Sequence, residues 1–262
     1  MTRVVAALDN DSAARPVAAT ASRLAELLDA SAEAIHVRED GQRTVEGSAA
    51  AAGMHLRTVS GNPLSALVAV CEETDVRALV LGTCGVPGSR TPAGSTVLEL
   101  ITRVHKPLVV VPPASPHAGR IDRVLVPLDG TPASTEALKG TIRLARWSEV
   151  EVIVLHVHEH EQLPGFSDHV QHEAPAWADE FMARYWPVPP GEAKLELRVG
   201  PPQEHVIDVA TELDVDLVTL GWSQELSPGR AAVVREALAR CPVPVLLVPV
   251  DDGHAVAEDR PV

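Results

Sequence analysis

The chain has 262 residues, 45 % of them apolar, enough for two domains of ordinary size and too apolar for wholesale disorder. Only 3 % are aromatic, so the core must be built mainly from Ala, Val and Leu. Against 36 Asp and Glu stand 22 Lys and Arg, and a net charge of −14 is the wrong sign for a general nucleic-acid footprint. Residues 4–8 are a continuous apolar run, the mark of a strand buried on both faces of a parallel sheet. Residues 13–28 repeat Val17, Ala21, Leu24 and Leu28 at helical spacing, after the candidate cap Ser12. Strands follow at 34–37 and 56–59, and Pro63 opens a helix over 64–73. A fourth strand at 78–81, a helix at 95–104 and a fifth strand at 108–111 complete the series.

The series then recurs. Arg3-Val-Val-Ala-Ala-Leu-Asp9 returns 120 residues later as Arg123-Val-Leu-Val-Pro-Leu-Asp129, and Ile35-His36-Val37 returns as Leu155-His156-Val157. Residues 75–82 return 139 residues later as 214–221, so an insertion of 19 residues enters the second copy between its second and third strands. Second-copy strands are predicted at 123–128, 150–157, 195–199, 217–220 and 245–248, with the insertion supplying a helix over 168–186. In the first copy only about 18 residues join strands two and three, so that helix is expected to be short or absent. Strand–helix alternation implies right-handed crossovers and a doubly wound sheet. The expectation is two tandem α/β domains, 1–113 and 120–250, each a five-stranded parallel sheet flanked by helices. A Pro/Ser/Gly-rich joint at 112–119 links them, and 251–262 is expected to be a disordered acidic tail. Apolar edge strands invite pairing, so the two fifth strands are expected to meet in an internal pseudo-dimer. Further homodimerisation stays open.

Cys71, Cys84 and Cys241 form no C-x-x-C and cannot all pair, which fits a reducing compartment. The amino terminus meets Asp9 after five apolar residues and lacks a signal-peptide core, and no apolar run approaches the ~20 residues of a membrane helix. A soluble cytoplasmic protein is the expectation.

The chemistry-bearing segment is Gly82-Thr-Cys-Gly85-Val-Pro-Gly-Ser-Arg-Thr-Pro-Ala-Gly94-Ser95-Thr96. Glycines three apart let backbone N–H groups approach an anion, and Gly94-Ser95-Thr96 opens a helix whose free donors and positive dipole end suit phosphate. A plain strand-to-helix loop is the alternative. Position favours the ligand: open α/β sheets bind beyond the carboxyl ends of their strands, at the switch between first and fourth strands, where Asp9 also ends its strand. Charge agrees, since residues 1–118 carry 10 basic and 12 acidic side chains (−2) and 119–262 carry 12 and 24 (−12).

This arrangement resembles the universal stress protein family. The features that carry it are the Leu-Asp strand ends at Asp9 and Asp129, the His-Val of the second strand, Gly61-Asn62-Pro63, the glycine loop and the last Pro-Val-Leu-Leu-Val-Pro strand. They span nearly the whole chain, twice. Nucleotide-binding members carry Gly-x2-Gly-x9-Gly-Ser/Thr; here Gly82-x2-Gly85-x8-Gly94-Ser95 is one residue shorter. The resemblance implies an adenine-nucleotide alpha-hydrolase-like fold and an ATP pocket, with magnesium as a possible companion. Leu8, Asp9 and the backbone at Val37 would take adenosine, and Gly82, Gly85, Gly94, Ser95 and Thr96 the phosphates. It implies a nucleotide-dependent stress-response regulator, with a nucleotide-free interaction scaffold and a weak ATPase as alternatives.

The second copy departs from the pattern. Gly221 is followed by Trp222, Ser223, Gln224 and Glu225, and Gly229-Arg230-Ala231 replaces Gly-Ser/Thr. Trp222 is expected to fill the crevice, with the 159–190 insertion packed close by, leaving one nucleotide per chain; Asp129 is expected to cap its own turn. His156, His158, His160, His169 and His172 match no zinc spacing and read as a solvated acidic face, so no metal site is assigned. Neither a P-loop, a nucleophile elbow nor an H-E-x-x-H is present, and no catalytic residue is assigned.

Overall fold

The first half lays down β1 (Arg3–Ala7), α1 (Ala14–Leu27), β2 (Ser31–Arg38), β3 (His55–Ser60), α2 (Pro63–Glu72), β4 (Val76–Gly82), α3 (Ser95–Arg103) and β5 (Leu108–Val111). The second lays down β6 (Arg123–Pro127), β7 (Glu151–His158), α4 (Val170–Tyr185), β8 (Ala193–Val199), α5 (Pro202–Glu212), β9 (Leu217–Trp222), α6 (Ala231–Arg240) and β10 (Val245–Pro249). This computed structural model describes residues 1–9, 14–38, 49–50, 52–83, 95–116, 119–131, 134–136, 138–139, 150–158, 170–186, 193–224 and 231–250. The expected cap Ser12, the tail 251–262, and Cys84, Gly85 and Gly94 lie outside the described residues, as do His160, His169, Glu225, Gly229 and Arg230. Ala49 and Ala50 are helical, but residues 39–48 of the first half's short connection are also outside.

All ten strands join one sheet, ordered β3-β2-β1-β4-β5-β10-β9-β6-β7-β8. Pairing is parallel within each half. At the centre β5 and β10 pair antiparallel, Val110 opposite Val245 and Leu108 opposite Leu247. The two doubly wound halves therefore share one sheet and run in opposite directions across it. The apolar runs sit where they are covered on both faces: β5 is buried at every residue. The outer strands β3 and β8 hold no fully buried residue, and Arg57, Lys194, Glu196 and Arg198 blunt the edges they leave. Several strands start earlier than hydropathy indicates. β2 begins at Ser31 because its ladder with Arg3 of β1 needs only backbone groups, whatever the side chain.

Two hydrophobic layers cover the sheet, and both cross from one half to the other. One holds Leu79, Leu100 and Ile101 of the first half with Val218, Leu220, Trp222 and Val234 of the second, under α2, α3, α5 and α6. The other holds Val17, Leu24, Val80 and Val109 with Val124, Val154, Phe181 and Leu246, under α1 and α4. Each such side chain contributes about 1.5–3 kcal/mol by burial. The entry into β6 is docked by Asp216, 1 % exposed, whose Oδ2 accepts from the N–H groups of Asp122 (2.9 Å) and Arg123 (3.0 Å). Its Oδ1 accepts from Arg120 Nε at 2.6 Å. Among the described residues no helix is long and apolar enough to cross a membrane.

Candidate functional site

Parallel pairing brings the carboxyl ends of β1, β2 and β4 together. Ala7 pairs with Ile35 and with Leu81, so Leu8 lies level with Gly82 and Asp9 level with Val37. Leu8 is buried and its N–H donates to Ile35 O at 2.8 Å; Asp9, the next residue, is exposed at the mouth. His36 makes this corner rigid. Its imidazole is 1 % exposed, and Nδ1 lies 2.9 Å from Leu8 O, where the carbonyl can only accept. His156 repeats the bond on Leu128 O at 2.8 Å. In the sequence these histidines mark the repeat; only the fold shows that each fixes the strand end in front of its acid.

Gly82 closes β4, buried, and the N–H of Thr83 donates to Val111 O at 3.1 Å. Ser95 starts α3 and Thr96 stands half-buried in its first turn, ahead of the fully packed Val97. Leu8, Asp9, Val37 and Gly82 thus share one end of the sheet, and α3 returns from β4 to β5. Gly85 and Gly94, the remaining predicted phosphate glycines, lie outside the described residues. Nearby, Gly61 at φ +131° leads into α2, whose cap is Asn62: its Oδ1 accepts from Ser65 N at 3.1 Å. Left-handed φ there requires glycine.

In the second half the corresponding crevice is an open cavity of about 220 Å³, lined by Asp129, His156, Val157, Pro202, Gly221 and Val234 among others. Asp129 caps its turn as expected, accepting on Oδ1 from Thr131 N (2.9 Å), Thr131 Oγ1 (2.7 Å) and Ser134 Oγ (2.5 Å). The expectation for Trp222 fails. Its indole is 2 % exposed and lies away from the crevice, Nε1 donating to Ile101 O in α3 at 2.8 Å. β9 runs on through residue 222, and the alternation that buries Val218 and Leu220 in one layer carries Trp222 into the same layer, under the other half. Of the insertion, the described part does pack close by: Phe181 lies against His156, a residue of the cavity wall. Phe181 in α4 and Trp186 just beyond its end belong to the layer on the opposite face of the sheet, and Phe181 lies 4.4 Å from the His156 ring.

Burial lowers the pKa of His156 below its usual value, the Leu128 carbonyl and Asp129 opposing only in part. His158, 4.6 Å from His156 edge-on, is lowered by burial and then by His156. Burial pushes the thiols of Cys71 and Cys241 up to about 12 and about 11, which leaves them inert. Among the described residues no group of three or more His, Cys, Asp or Glu is placed to hold a metal ion.

Residues 120–249 match the universal stress protein family. A universal stress protein from Archaeoglobus fulgidus DSM 4304 superposes on 95 % of this chain and 97 % of its own, with a TM-score of 0.66 at 15 % identity. A functionally unknown protein from Pseudomonas aeruginosa PAO1 covers 96 % of this chain and 94 % of its own, with a TM-score of 0.69 at 12 % identity. At those identities the likeness is one of fold. No curated protein sequence matches the chain. The second half of the chain belongs to the universal stress protein family by sequence, and the chain as a whole shares its fold with a solved protein of that family.

Proposed function

We propose that the protein binds one ATP, accompanied by magnesium, in its first half and acts as a nucleotide-dependent regulator in the cytoplasm. The observation that carries this reading is the register that levels Leu8 with Gly82 and Asp9 with Val37 at the switch between β1 and β4, the place where open α/β sheets take ligands. Asp9 would accept from the ribose, and the backbone of Leu8 and Val37 would border the base. Gly82, Gly85, Gly94, Ser95 and Thr96 would take the phosphates around the start of α3, where free N–H groups meet negative charge. The second half, taken as a unit over 120–250 paired to 1–113 as an internal pseudo-dimer, keeps a crevice but answers it differently. Asp129 is engaged in its turn, and Trp222 and Gln224 are bonded to the end of α3. A net charge of −12 on 119–262 opposes a polyanion there as well. No residue is assigned to chemistry, so binding, not turnover, is the proposed act.

Calorimetric titration with Mg-ATP tests this on the wild type and on Gly82→Trp. One equivalent per chain is expected, lost in the variant. Absence of heat with the wild type would favour an interaction scaffold, and steady phosphate release would make the protein an ATPase. Two equivalents would show that the second crevice is also a nucleotide site.

A further inference from the structure

Because the halves run in opposite directions, the far end of β9 lands beside the wrong end of a helix from the other half. Leu247 pairs with Leu108, the first residue of β5, and Pro249, two residues on, pairs with Trp222. That level is the turn before β5, where α3 finishes. There Trp222 Nε1 donates to Ile101 O at 2.8 Å and Gln224 Nε2 to Val104 O at 2.6 Å. The last turn of a helix and the residue after it have carbonyls with no intrahelical donor, and these two side chains, 121 and 120 positions away in sequence, supply donors. The geometry is held firmly. Trp222 is buried among Leu100, Ile101 and Val104, and Gln224 keeps a left-handed backbone at φ +63°, uncommon for a residue with a Cβ. The arrangement runs one way. Thr83 occupies Trp222's position in the first half, and a threonine has no indole N–H with which to reach across.

α3 has nine residues, about 13 Å of helix. One end is Ser95–Thr96; the other is the pair of carbonyls just described. We propose that Trp222 and Gln224 are positioning residues for the nucleotide site of the opposite half, holding α3 from its carboxyl end so that the second half sets the affinity of the first. The proposal rests on the nucleotide reading above. A helix anchored at one end has less freedom to lose when phosphate engages the other, so less of the binding energy goes into ordering it. By linkage, nucleotide must in turn tighten the hold on Ile101 and Val104. The residues that depart from the family pattern after Gly221 then have a positive role, in addition to making a poor phosphate loop.

The test uses the full chain, with Gln224→Ala and Trp222→Phe titrated against Mg-ATP. Tryptophan emission, hydrogen exchange across α3 and urea unfolding are followed in parallel. Both variants are expected to lose about fivefold or more in affinity, with faster exchange at the carboxyl end of α3. Gln224→Ala should keep the wild-type unfolding midpoint, which separates positioning from general stability. ATP should shift the emission of the wild type, and Trp222→Phe should abolish that shift, a response that a merely structural indole would not give. If Trp222→Phe does not fold, Gln224→Ala decides alone. Wild-type affinity in the variants, with ATP bound normally by the wild type, overturns the proposal and leaves the nucleotide reading standing. A wild type that takes no ATP overturns that reading and the coupling with it.

Discussion

His36 and His156 do the same work in the two halves: each imidazole donates from Nδ1 to the carbonyl that ends the neighbouring first strand. Burial keeps His156 neutral below the pH at which a free histidine would protonate, and its neighbour His158 follows. The sign is therefore set. Below the ordinary histidine range the unfolded chain binds protons that the folded chain refuses, so stability is full above about pH 6.5 and falls as the pH drops through that value. Thermal unfolding between pH 7.5 and 5 should show this decline. In His156→Asn, which retains an N–H donor for Leu128 O but cannot titrate, the curve should be flatter. An equally steep decline in that variant would place the proton uptake elsewhere.

At the scale of elements, the start of the second half is anchored by one carboxylate. Asp216, at the start of β9, receives two backbone N–H groups of the incoming β6 strand and the Arg120 guanidinium. Arg120 is raised by that bond above its ordinary range, but its side chain is 45 % exposed, so water can replace the partner it would lose. The two amides are less fortunate. Asp216→Ala is expected to cost about 2–4 kcal/mol, mainly from part-buried N–H groups, and to a lesser degree a guanidinium, left without their acceptor, and Asp216→Asn less, since its amide oxygen still accepts. Urea unfolding should show a lower midpoint at unchanged slope. The first half solves the equivalent problem with different charges: Arg77 stands where Asp216 does in the repeat, and Arg3 gathers Glu33, Glu73 and Asp75.

At the scale of the molecule, neither hydrophobic layer belongs to one half. Trp222 is packed with Ile101, and Leu246 shares its layer with Val109 and Val80. A core continuous across the junction predicts a single cooperative transition, with calorimetric and van't Hoff enthalpies in agreement. Leu246, 6 % exposed beside the β5–β10 ladder, is the place to break it. Leu246→Asp buries an unpaired charge there and should lower the transition by several kcal/mol and divide it in two. One sharp transition in that variant would mean that the halves do not need their shared sheet to unfold together.

The strands, the helices and their twofold recurrence were legible from residues alone, because each depends on local information. A run such as Leu108–Val111 is apolar on both faces and has few places to go except the middle of a parallel sheet. The family features were legible for the same reason, and so were Asp9, Val37 and Gly82 as strand-end positions, since the repeat itself marks where strands stop. The tertiary structure decided what the side chains at those stops would touch. His36 meets its carbonyl 28 residues back, Asp216 its amides 94 and 93 back, and Trp222 its partner 121 back in another helix. Hydropathy could tell that Trp222 would be buried. Which crevice or helix received it depended on the antiparallel meeting of β5 and β10, a contact between segments that no local pattern relates.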